Sequence, residues 1–328
     1  MRRQNTGDRR GMALLTVLLL VAVMAVVCVL LLDQVRFSVR RATNLEHQAQ
    51  MQGQAAAAEA AARHLLATTV QSGATGQRLP PAGQTQVVDL DNGQVRTWVG
   101  DGQDCFNLNS LVFGQGEDLR PNPQGAVQLV ELGTALGLSR PAMVRLANAL
   151  TDWMDSDQAV TAPGGAEDAD YATRAAPYRT AGLMLADVTE LRAVAGVSAQ
   201  AYERLRPYVC ALPEARLTRL NLNSLTGSHA PLLMAISGGQ MTLGAARAAL
   251  ASRPAQGWSS PDAFWALPVL NEVVADDQMR GQTVLASRYF RLRIEVDAGD
   301  SRSLRTALIH VPNEGPARTV SRRWTPEE

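Results

Sequence analysis

The chain has 328 residues, a hydrophobic fraction of 46% and a formal net charge of zero from 31 basic and 31 acidic residues. Every basic residue is arginine, which excludes a lysine-based phosphate loop and Schiff-base chemistry. The first eleven residues hold Arg2, Arg3, Arg9 and Arg10 against Asp8, leaving 27 Arg against 30 acids in the rest, a mildly acidic body poorly matched to a nucleic-acid backbone.

Met12 to Leu32 is an apolar run of 21 residues with one polar member, Thr16. As a helix it spans roughly 31 Å, one bilayer core. The arginines on its short N-terminal side predict a cytoplasmic N-terminus, with everything after Asp33 across the membrane. A secretory signal cleaved after Ala25, or a lipoprotein cut before Cys28, needs small residues that this run does not supply. A plain signal anchor fits but leaves Gly11 unexplained. A short basic leader ending in Gly11, with the apolar run starting at Met12, resembles the class III leader of type IV pilins and type II secretion pseudopilins. That resemblance implies cleavage after Gly11 by the prepilin peptidase and methylation of Met12. Major members carry Glu where this chain has Thr16, a departure typical of the K component.

The helix is expected to run on to about Leu66. No proline intervenes, AAAAEAAARHLL (Ala55–Leu66) is strongly helix-forming, and Val35, Val39, Ala42 and Ala49 make a thin apolar face. Gly- and Pro-rich sequence from Ser72 to Gln84 breaks it. Two β-branched runs then flank Asp91-Asn92-Gly93, a hairpin signal, and a third run ends in DCFNLNSL (Asp104–Leu111). Arg288–Val311 alternates apolar and polar residues around Ala298-Gly299-Asp300, predicting a second hairpin with one solvated face. Between them, Val112–Val284 reads as mostly helical, so a sheet is split by a helical insertion.

Asn-Leu-Asn-Ser-Leu occurs at Asn107–Leu111 and again at Asn221–Leu225. Asn and Ser suit turns and caps, so the copies are either coincidental junctions or the launch points of two related units. Val188–Val209 and Pro231–Pro254 carry helix–turn–helix patterns that resemble SAM or helix-hairpin-helix modules. Arg192, Arg204 and Arg206 would be available to a phosphate backbone, but acids surround them.

Asp152, Asp155, Asp157, Glu167, Asp168 and Asp170 form the densest acid cluster, with Pro163-Gly164-Gly165 between its halves. Oxygen donors on a flexible loop suit Ca²⁺. Asp155, Asp157, Glu167 and Asp168 are the first candidates, Asp152 and Asp170 the second. The alternative is a solvated acidic loop countered by Arg174 and Arg179. Cys105 and Cys210 flank the first helical stretch on the oxidising side, and a disulfide between them would staple its ends; two buried free thiols are the alternative. Cys28 reads as a filler in the membrane run. The four histidines form no metal spacing, and no catalytic Ser, zinc-protease or paired-Cys motif occurs, so the chain reads as non-enzymatic.

The segments GMALLTVLLL, CFNLNSL, LTDWMDSDQ, GGAEDADY, APYRTAG, DVTELRAVAGV, LNLNSL and SRPAQGWSSPDAFWALP, in this order, resemble the general secretion pathway protein K family. The resemblance implies an α+β, pilin-like fold: a long N-terminal helix packed on a small antiparallel sheet, with a large all-α insertion containing SAM/helix-hairpin-helix-like units. The expected organisation is a leader at 1–11, a transmembrane helix at 12–32, its periplasmic continuation at 33–70, a β core from 71–111 and 285–328, and helical units at 112–215 and 216–284. It further implies a single-pass inner-membrane protein with a periplasmic bulk. That protein would initiate or cap the pseudopilus with the I and J minor pseudopilins, carry structural calcium and bind no nucleic acid. A membrane-anchored helix-hairpin-helix DNA-binding protein is the second reading, and a metal-dependent hydrolase the third.

Overall fold

A computed structural model describes residues 8–72, 85–91, 93–299 and 301–324. Leader residues 1–7, the Pro80-Pro81 break and the turn residues Asn92 and Asp300 lie outside the described residues.

Helix α1 runs unbroken over Asp8–Gln71, 64 residues, so it passes through Gly11 and ends within one residue of the expected boundary at 70. At 1.5 Å per residue it is about 95 Å long. Its described side chains from Met12 to Gln50 are all exposed, including Val35 and Val39. Burial begins at Met51 and continues through Ala55, Glu59, Ala62 and Leu66, a helical stripe that rests on a sheet.

That sheet has five antiparallel strands in the order β1 (Thr85–Leu90), β2 (Gly93–Asp101), β3 (Tyr289–Ala298), β4 (Ser301–His310) and β5 (Arg318–Arg323). Both predicted hairpins are present, as β1–β2 and β3–β4. β2 and β3 pair directly, with Val95 opposite Val296 and Val99 opposite Leu292. Phe290, Leu292, Ile294 and Val296 point to α1, as period-two alternation requires. The other face carries charges. Arg96 sits opposite Glu295 at 3.4 Å, and Arg302 opposite Asp297 at 3.1 Å.

Under the stem lies one buried ionic network. Glu59 accepts hydrogen bonds from Arg305 of β4 (3.1 Å), Arg322 of β5 (2.6 and 2.9 Å) and Thr319 Oγ1 (2.7 Å). These partners outweigh burial, the largest single influence, and hold the Glu59 carboxyl at about 2.

Residues 102–288 form a lobe between β2 and β3, with its own apolar core. Its helices are α2 (Pro123–Ala135), α3 (Arg140–Met154), α4 (Asp168–Ala172), α5 (Ala199–Leu205), α6 (Ala230–Ile236), α7 (Leu243–Ala251), α8 (Pro261–Trp265) and α9 (Asp277–Gly281). Two expectations need correction. The run ending at Leu111 is not part of the β core: Phe106–Asn107 pairs in parallel with Val209–Cys210, and Phe106, Leu108 and Leu111 are fully buried among the helices. Nor is the insertion all-α, because Val112–Gln115 and Asp118–Pro121 form an antiparallel hairpin within it, although one continuous apolar cluster runs from Phe106 to Met279.

The repeated Asn-Leu-Asn-Ser-Leu is nonetheless a structural repeat. Each copy starts at a two-residue parallel bridge, Phe106–Asn107 with Val209–Cys210 and Leu220–Asn221 with Thr283–Val284. The second Asn of each copy then clamps a distant loop by both ends of its amide. Asn109 accepts from Leu185 N–H (2.7 Å) and donates to Leu185 O (3.0 Å) and Leu212 O (2.8 Å). Asn223 accepts from Trp258 N–H (2.7 Å) and donates to Trp258 O (3.3 Å) and Leu285 O (3.5 Å). Cys105 and Cys210 are disulfide-bonded beside the first bridge, with Cα atoms 5.8 Å apart.

The lobe sits at the far end of the stem. Gln71 Nε2, at the end of α1, donates to Pro312 O (3.4 Å) and Gly315 O (2.7 Å), and Val311 N–H donates to Arg288 O (2.8 Å), where the chain leaves the lobe.

Candidate metal centre

Helix α3 is capped by Ser139, whose hydroxyl accepts from Ala142 N–H. It buries Met143, Leu146, Ala147, Leu150 and Trp153 on one face, while Asp152, on the opposite side of the helix, is covered by the returning loop at Thr161 and Gly165. The helix ends at Asp155. The chain loops out and returns at Glu167, the N-cap of α4. Two helix termini therefore bring carboxylates together from twelve residues apart.

The loop needs its glycines. Gly164 has φ of +82°, and a Cβ on Gly165 would lie 2.2 Å from Asp152 Oδ2 and 2.4 Å from Thr161 O. Asn148 Nδ2 donates to Pro163 O (3.0 Å), and Thr161 N–H donates to Asp152 Oδ2 (3.0 Å).

Candidate ligand oxygens of Asp155, Asp157 and Glu167 all lie within 4.8 Å of one another. Asp152, Asp155 and Glu167 are 0%, 3% and 2% exposed; Asp157 is exposed. Both Glu167 carboxyl oxygens, Asp155 Oδ1 and Asp152 Oδ1 are buried with no hydrogen-bond partner among the described residues. Burial first, then repulsion from the neighbouring acids, pushes Glu167 up to about 8 and Asp155 up to about 7; Asp152 is raised as well.

Three of the four first candidates converge. Asp168 faces away: its Oδ1 accepts from the Thr180 N–H and hydroxyl, both at 2.9 Å, and these bonds lower its pKa. Asp170 accepts from the Glu167 N–H (3.1 Å), a local cap. Neither expected counter-charge reaches the buried acids. Arg174 lies over the Tyr171 ring at 4.4 Å, and the exposed Arg179 approaches Asp168 alone, at 3.9 Å. The aromatic wall of Trp153, Tyr171 and Tyr178, with centroids 5.2 to 6.1 Å apart, and the Thr180 contact escaped sequence reasoning, since no local pattern marks them.

Buried carboxylates without partners are costly unless protonated or neutralised. An all-oxygen set on a loop between two helix ends matches the donor chemistry of a hard divalent cation such as Ca²⁺.

The architecture defines a stem-and-head protein: one helix long and apolar enough to cross a membrane, a sheet on its far half, and a helical lobe inserted beyond it. Residues 104–214 and 220–285 match the two family models described as type II secretion system (T2SS), protein K. The chain is 34% identical to type II secretion system protein K of Aeromonas hydrophila, over 89% of this chain and 90% of that protein. It is 35% identical to the protein of the same name from Klebsiella pneumoniae, over 92% of both. Its fold superposes with a TM-score of 0.73 and 30% identity on a chain of the GspK–GspI–GspJ complex from the enterotoxigenic Escherichia coli type 2 secretion system, covering 87% of this chain and 98% of that one. The chain belongs to the type II secretion system protein K family.

Proposed function

We propose that this chain is the minor pseudopilin that begins and caps the periplasmic pseudopilus of type II secretion, held in the inner membrane by Met12–Leu32 with its N-terminus cytoplasmic. Its partners are two other minor pseudopilins, equivalents of those in the complex that its structural neighbour forms. One observation carries the capping role. The lobe stands at the stem end remote from the apolar span, tied there through Gln71, Pro312 and Arg288. A subunit stacking above would meet the lobe instead of a free sheet and stem. Cleavage after Gly11 and methylation of Met12 prepare the stem for packing, and the chain works by assembly without catalysis.

The same reading assigns calcium to Asp155, Asp157 and Glu167, with Asp152, Asp168 and Asp170 shaping the loop. Bound calcium would supply charge neutralisation at the buried Asp155 and Glu167 and the exposed Asp157; the residues themselves fix the α3–α4 connection. The paired short helices around Gly196 and Gly238-Gly239 act as SAM/helix-hairpin-helix-like packing units. Their arginines support this over DNA binding, since Arg192 stacks on Tyr202 at 4.5 Å and Arg204 donates to Leu136 O and Gly137 O.

The test is complementation of a strain lacking its own K component. The full chain should restore export. A chain with 102–288 replaced by a short Gly/Ser linker should enter the membrane and fail to restore it, while pseudopili made on pseudopilin overproduction should lengthen. Restored export by the lobe-less chain would overturn the proposal.

A further inference from the structure

Where the sheet meets the lobe, an open cleft of about 550 Å³ lies among Glu214, Arg216, Arg219, Arg288, Tyr289 and His310. The Tyr289 and His310 rings stack at its floor, centroids 4.6 Å apart. Glu214 is the single carboxylate among its lining residues, and it is already engaged: it accepts from Tyr289 Oη (2.7 Å) and pairs with Arg216 Nε (2.9 Å). Arg219 and Arg288 have no carboxylate partner among the described residues. Burial, and then the positive field of Arg288, Arg318 and Arg216, lowers the His310 imidazole pKa despite Glu214. In a body carrying more acids than arginines, this is a local excess of guanidinium groups around a cleft wide enough for several side chains.

We propose that this cleft receives a carboxylate-bearing polypeptide segment of a partner, with Arg219 and Arg288 as its anchors. Guanidinium forks match carboxylates in bidentate geometry, and a partly enclosed site weakens competition from water. The cleft adjoins Pro312, the partner of Gln71, which lies 39 residues beyond Leu32 and so roughly 60 Å along the helix from the apolar span. That distance removes lipid headgroups as the occupant. The inference rests on the assembly role above only for where the segment comes from. Peptide binding is read without export or pseudopili, so the two fail separately.

The full-length chain in detergent micelles would be titrated against fluorescein-labelled hexaglutamate by anisotropy at low salt, with hexaglutamine as control. Hexaglutamate alone should bind. R219Q/R288Q should weaken it about tenfold or more, the loss of one charge-assisted pair or more. R120Q/R247Q removes the same charge elsewhere and should leave affinity unchanged. R219Q alone, at an exposed side chain, should weaken binding too, which keeps the test decisive if the double variant misfolds. No binding to the wild-type chain, equal weakening by both double variants, or displacement by inorganic phosphate at equal concentration would each overturn the proposal.

Discussion

Chelation should unsettle the α3–α4 loop, and the effect should depend on pH in a defined direction. Asp155 is pushed to about 7 from its ordinary 3.8, and Glu167 to about 8 from 4.5. Without a cation, holding one such group ionised in the fold costs on the order of 4 kcal/mol relative to the unfolded chain. Both folded pKa values are raised, so in the metal-free protein these two groups cost nothing below about pH 4, where they are protonated folded or unfolded. Their cost grows as pH rises from there and levels off above about 7 to 8. Bound calcium would offset that cost. For a lobe of this size about 4 kcal/mol corresponds to a Tm change of about 10 °C. Thermal unfolding of the full-length protein in micelles, with calcium or with EGTA, should show a gap of that order at pH 7.5. The gap should shrink markedly at pH 5, where protons compete for the same oxygens. E167Q should abolish the calcium response and, in EGTA at pH 7.5, melt above the wild type, because it removes a buried charge. Identical melting with and without chelator at pH 7.5, or an equally large gap at pH 5, would refute the reasoning.

Three further outcomes follow from the same structure. Glu59→Ala should cost about 3–5 kcal/mol in urea unfolding, because it strands the buried Arg305 guanidinium. With its folded pKa lowered to about 2, the Glu59 contribution is present above about pH 4.5 and should fade as pH falls toward 2, visible in acid titration of the sheet signal. Asn109→Ala should destabilise the lobe by about 3 kcal/mol or more by calorimetry, since three buried backbone groups at Leu185 and Leu212 lose their partner. Intact-mass measurement of the membrane-extracted protein should find residues 1–11 absent and one methyl on Met12; a chain starting at Met1 would remove the processing step.

Much of this was legible because the signals are local. The stem reads from an unbroken apolar run followed by Ala-rich sequence, and the two hairpins from β-branched runs about a turn. The acid cluster reads from density alone, but which of its acids converge does not. Asp168 has the right chemistry and neighbours, and only the chain's return at Thr180 turns it outward. Strand β5 (Arg318–Arg323) was missed because RTVSRR has no apolar alternation; its inward residues are Thr319 and Arg322, which satisfy Glu59 on a helix some 260 residues earlier. The boundary near Leu111 was misplaced for a similar reason. Phe106–Asn107 looks like sheet sequence, but its partner strand is Val209–Cys210.

The lobe also governs the order in which this molecule can be made. β2 and β3, neighbours at the centre of the sheet, are separated by residues 102–288. Joining the ends of so long an unstructured segment would cost on the order of 5 kcal/mol in chain entropy. A lobe that has already folded presents its entry and exit side by side, with Gly102 N–H donating to Tyr289 O at 2.9 Å. Pairing β2 with β3 after the lobe has folded avoids most of that cost, so the sheet, and with it the seat for the stem, is expected to close after the helices have come together.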